Sequence, residues 1–60
     1  MFGYTVKFSV DLIEELIDNG HFSRHKGDLQ EAINDLKVHF GYGNVSQQRY
    51  EYLMNKLKSI

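Results

Sequence analysis

The chain opens on an alternation. Tyr4, Val6, Phe8 and Val10 are apolar, and Thr5, Lys7 and Ser9 between them are polar, which is the period of two that lets a strand bury one face. β-Branched and aromatic side chains suit a pleated, half-buried surface, so a strand is predicted over residues 4–9. The period then changes. Leu12, Ile13, Leu16 and Ile17 recur at helical spacing while Glu14, Glu15 and Asp18 take the opposite side, predicting an amphipathic helix over about residues 10–19. Ser9 is placed to cap it, Asp11 sits near the positive end of its dipole, and Asn19-Gly20 provides the stop. Residues 20–27 read as a loop.

A second helix is predicted over residues 28–40 from the stripe Leu29, Ala32, Ile33, Leu36 and Phe40. Asp28 with Glu31 three residues later forms a capping box at its start; Ser23 is an alternative cap, but Gly27 separates it from the stripe. Lys37 and His39 fall in the last turn, and Gly41-Tyr42-Gly43 ends the helix. The third predicted helix, over residues 46–59, starts at the cap Ser46, with Val45 before it able to staple onto Tyr50. Its stripe is Tyr50, Leu53, Met54, Leu57 and Ile60, with Lys56 and Lys58 near its C-terminus. Gly20-His21-Phe22-Ser23 and Gly43-Asn44-Val45-Ser46 share helix-start chemistry rather than marking a repeat. The expected fold is therefore mostly α, one domain over residues 1–60, in which a short N-terminal β-strand precedes three helices. Leu16, Ile33, Leu36, Leu53 and Leu57 are its expected shared core.

A lone strand leaves its backbone N–H and C=O groups without a ladder. No other segment has strand periodicity, so two arrangements meet the need. In one, Tyr4, Val6 and Phe8 belong to a strand that pairs with a second copy across a two-fold axis, as an isologous dimer requires. In the other, the segment is an extended arm folded over the helices. Size favours association, because a chain of 60 residues buries only about 60% of the surface its unfolded form exposes. The chain has no cysteine, which rules out a disulfide staple or a thiolate metal site.

Composition places the chain among folded proteins rather than disordered tails, with 42% hydrophobic and 25% charged residues. No basic stretch followed by an apolar run suggests a leader, and no apolar run approaches the ~20 residues that cross a bilayer. A cytoplasmic protein with no membrane partner is expected. The net charge of −1 excludes a general polycation, so any nucleic-acid binding must come from a local patch.

Four stretches together resemble the ribbon-helix-helix DNA-binding proteins, the antitoxins and small phage or plasmid repressors of that fold. They are Tyr4-Thr5-Val6-Lys7-Phe8-Ser9, the helix Val10-Asp11-Leu12-Ile13-Glu14-Glu15-Leu16-Ile17, the turn Asn19-Gly20-His21-Phe22-Ser23, and Leu29-Gln30-Glu31-Ala32-Ile33-Asn34-Asp35-Leu36. The likeness spans residues 4–40; the third helix is additional to it. It implies a homodimer whose paired strands enter the major groove of double-stranded DNA, with Thr5 and Lys7 facing the bases. Gly3 stands where a third outward side chain would be, which leaves those two per chain. The resemblance also implies a phosphate at the start of the second helix, where Arg24, His25 and Lys26 would extend the anion site. The function so implied is that of a small repressor or antitoxin-like regulator.

Other chemistry is sparse. His21 and His25 are four apart, a spacing that suits a metal pair on a helix, but they fall in the predicted loop with no third ligand nearby. Asp11, Glu14, Glu15 and Asp18 read as a solvated helix face rather than as catalytic carboxylates. No phosphate-binding glycine loop with its lysine is present, and no cysteine nucleophile. Neither an enzyme nor a cofactor is expected. The alternative to DNA binding is a small inhibitor or adaptor that blocks a host protein through Tyr42, Tyr50 and Tyr52, since tyrosine is favoured at protein interfaces.

Overall fold

The computed structural model of the chain describes residues 5–60. In chain order the elements are α1 (Val10–Asp18), α2 (His21–Arg24), α3 (Lys26–Gly41) and α4 (Gln47–Lys58). The mostly α class holds, but the expected N-terminal strand is absent among the described residues. Tyr4 lies outside them. Residues 5–9 form no strand and bend at Lys7 and Phe8.

A side chain takes the place of a ladder. The backbone N–H groups of Lys7 and Phe8 both donate to Asp35 Oδ2, each at 2.9 Å. His39 Nε2 lies 2.9 Å from Phe8 O. Asp35 and His39 are four apart on α3 and so share one flank of it. Successive N–H groups of a strand point to opposite edges. Only a bent backbone brings two of them to one oxygen. The alternation nonetheless reports burial: Phe8 and Val10 are buried, Val6 half-buried, and Thr5, Lys7 and Ser9 exposed. Ribbon pairing through Val6 and Phe8 is thereby corrected to an arm folded over α3, and Tyr4, the third residue of that expectation, lies outside the described residues.

Ser9 caps α1 as expected, accepting from Leu12 N at 3.2 Å. At its other end Asn19-Gly20 serves two helices. Gly20 takes φ 78°, a left-handed value that costs glycine little, and Asn19 Oδ1 accepts from His21 N at 3.0 Å. The chain thus restarts at once as α2, where a loop was expected. Phe22 anchors this single turn: it is fully buried and meets the Phe8 ring edge-on, centroids 6.1 Å apart.

α3 starts at Lys26, two residues before the expected capping box. Its N-cap, His25, makes no side-chain cap. Asp28 is occupied elsewhere, by His21 and Lys7. The helix ends where expected, as Gly43 (φ 77°) lets Gly43 N and Asn44 N return to Phe40 O and His39 O at 3.1 and 2.9 Å. Ser46 then caps α4, accepting from Arg49 N at 3.2 Å.

The core is Phe8, Val10, Ile13, Phe22, Ala32, Leu36, Val45, Leu53, Met54 and Leu57. Of the expected shared core, Leu36, Leu53 and Leu57 are its centre, and Leu16 and Ile33 pack against it half-buried. α3 and α4 make the most extensive helix pair. Arg49 ties α4 to α1, with Nη2 at 2.9 Å from Asp11 Oδ1 and 2.7 Å from Glu14 Oε1. No helix among the described residues is long and apolar enough to cross a membrane.

Candidate functional site

Thr5 and Lys7 are exposed, but not as the outward residues of a ribbon. Lys7 Nζ lies 3.3 Å from Asp28 Oδ1 and 5.3 Å from the centroid of the Phe8 ring, so its charge is turned toward its own chain. The Asp28 carboxylate is shared. His21 Nε2 sits 2.8 Å from its other oxygen, and the hydrogen bonds from His21 and then Lys7 hold the Asp28 pKa below the usual aspartate value.

Arg24, His25 and Lys26 come together at the corner between α2 and α3, and all are exposed. Arg24 Nη1 reaches back to Asn19 O at 3.4 Å, and the His25 ring stacks on His21 at 4.5 Å. Among the described residues no group of three His, Cys, Asp or Glu could hold a metal ion.

Lys26 also begins a row that the apolar stripes did not disclose. Lys26, Gln30, Asn34 and Lys37 follow one another at intervals of four, four and three residues, which places them along one face of α3. Lys26, Gln30 and Lys37 are exposed and Asn34 lies among them. At a rise of about 1.5 Å per residue they span roughly 16 Å. The Gln30 amide donates to Asn34 Oδ1 at 3.2 Å, which aligns the two amides between the lysines. No carboxylate falls within the row.

Asp35 and His39, which grip the arm leading into α1, lie on the opposite flank of α3. The four acids of α1, Asp11, Glu14, Glu15 and Asp18, stand on a different element from the row. Two of them share the single charge of Arg49, whose guanidinium pKa is raised by Glu14 first and Asp11 second. The signal for the row was present in the sequence as a helical period in polar residues.

The three interface tyrosines separate. Tyr50 is half-buried and stacks on Phe40, centroids 4.2 Å apart and planes 13° from parallel. Tyr42 and Tyr52 are 76% and 52% exposed. Two residues apart on one helix, Tyr50 and Tyr52 point roughly 200° away from each other. Comparison with protein-family models, curated proteins and solved structures found no match to the chain.

Proposed function

We propose that the chain is a small, non-enzymatic DNA-binding protein of the repressor type that presents the outer face of α3 to the major groove. The acid-free row Lys26, Gln30, Asn34 and Lys37 carries this reading. A helix fits the major groove, where Gln and Asn amides can pair with adenine N6 and N7 and Lys with guanine or phosphate. Arg24 and His25 stand beside the first lysine and supply further phosphate contacts. Lys7 is left out, because its ammonium is already paired with Asp28. The net charge of −1 is no obstacle, since binding would draw on a local patch rather than on the total charge.

The test is a fluorescence-anisotropy titration of duplex DNA across a range of salt. Arg24→Ala or Lys26→Ala should weaken binding to every duplex and lower the salt slope by about one for each phosphate that is no longer neutralised. Gln30→Ala or Asn34→Ala should cost about 1–3 kcal/mol on a preferred site and little elsewhere. A second reading, a protein that blocks a host protein, is favoured by the exposure of Tyr42 and Tyr52. Absence of any duplex binding at about 50 mM salt, where counterion release is most favourable, would replace the first reading with the second.

A further inference from the structure

The corner between α1 and α2 sets an asparagine before a glycine, Asn19-Gly20, and Asn19 is exposed. In such a pair the glycine nitrogen can attack the side-chain amide carbon of the asparagine, because glycine has no side chain to shield that nitrogen. Asn34, Asn44 and Asn55 are followed by Asp35, Val45 and Lys56, whose side chains crowd the same approach. The corner keeps the reacting atoms of Asn19-Gly20 apart. Asn19 has ψ 5°, so the Gly20 nitrogen nearly eclipses the Asn19 nitrogen instead of the β-carbon, and the ring that attack would form cannot close. Hydrogen bonds fix this rotation. Gly20 N donates to Ile17 O at 3.2 Å, His21 N donates to Asn19 Oδ1 at 3.0 Å, and Arg24 Nη1 donates to Asn19 O at 3.4 Å. Phe22, fully buried just beyond, anchors the corner to the core.

We infer that Asn19 is a site of spontaneous deamidation that the α1–α2 corner keeps latent and that reacts when the corner opens. The only co-reactant is water. Gly20 N gives its proton to solvent and forms a bond to Asn19 Cγ; the bond from Cγ to Nδ2 breaks, and ammonia leaves. Water then adds to one of the two carbonyl carbons of the cyclic imide. Cleavage at Cγ restores the main chain and leaves aspartate, whereas cleavage at the main-chain carbon leaves isoaspartate, with an extra carbon in the backbone. The products differ in consequence. Aspartate keeps an oxygen for His21 N, the bond that Asn19 Oδ1 now accepts. Isoaspartate lengthens the link between α1 and α2 and draws His21 and Phe22 out of register. Either places a carboxylate near Arg24, which already reaches back to Asn19. No residue of the α3 row takes part, so the site is independent of DNA binding.

The experiment follows deamidation of the full chain at mildly alkaline pH, in buffer and in denaturing urea, by peptide mass spectrometry with separation of the aspartyl and isoaspartyl products. In urea Asn19 should react ahead of Asn34, Asn44 and Asn55 and give both products. In buffer it should react about tenfold or more slowly, since only the opened fraction can close the ring. That slowing should match, within about threefold, the hydrogen-exchange protection of the Gly20 and His21 amides, which report the same opening. Phe22→Leu loosens the anchor; it should raise the rate in buffer in proportion to the protection lost and leave the rate in urea unchanged. Equal rates in buffer and urea, a faster reaction in urea at another asparagine, or a rate in buffer that ignores the protection lost in Phe22→Leu would overturn the proposal.

Discussion

Asp35 is a carboxylate buried to zero exposure in the middle of a helix, a position that ordinarily costs several kcal/mol unless hydrogen bonds compensate. Here the compensation is the backbone of the arm, through Lys7 N and Phe8 N. Asp35→Ala would strand those donors and should destabilise the fold by about 3 kcal/mol, read as a lower urea midpoint. Asp35→Asn retains an acceptor oxygen and should lose less. If Asp35→Ala melted like the parent, the arm would not depend on α3. Asp28 makes a pH-dependent contribution. Its folded pKa is depressed by His21 and then Lys7, below the value of about 3.9 of an unfolded aspartate. Its stabilisation is therefore present above the unfolded value and lost as pH falls through the folded one. Asp28→Asn should flatten the fall in melting temperature at acid pH, and thermal melts from about pH 5 to pH 2 would check it.

The elements differ in how far the sequence disclosed them. α1 and α4 were legible because cap, stripe and stop agree: Ser9 and Ser46 accept the bonds their positions imply, and Leu53 and Leu57 are buried. α2 was not, since four residues carry no period and Phe22 looked like an isolated apolar residue in a loop. The arm misled for a different reason. Period two measures which side chains are buried, and Phe8 and Val10 are, but it does not identify what receives the N–H groups. Asp35 was the missing acceptor, with His39 meeting the Phe8 carbonyl, both concealed on a helix where a carboxylate usually faces water. The α3 row was legible only as polar spacing, and it gained meaning once the ribbon was gone. α2 yields a prediction on this scale. Phe22→Ala should cost about 3–5 kcal/mol because the ring fills the junction of the arm, α1 and α3. A residue of an ordinary surface loop would cost under ~0.5 kcal/mol, so a urea titration separates the two.

At the scale of the whole molecule, negative charge concentrates on one element. The four acids of α1 stand within one short helix, which makes α1 self-repelling. Arg49 moderates this by bridging Asp11 and Glu14 from α4, joining an N-terminal helix to a C-terminal one across 38 and 35 residues of sequence. The pairs are partly exposed, so their strength is that of a surface network, about 1 kcal/mol at low salt. Arg49→Ala should therefore lower stability by that amount at low ionic strength, read from the urea midpoint. In about 1 M NaCl, where the Debye length shrinks to roughly 3 Å, the difference from the parent should largely vanish. The dependence of stability on urea should keep its slope, because the surface buried by Leu36, Leu53 and Leu57 is untouched. A deficit that persists undiminished in high salt would show that Arg49 acts through the packing of its stem against α1 rather than through its charge.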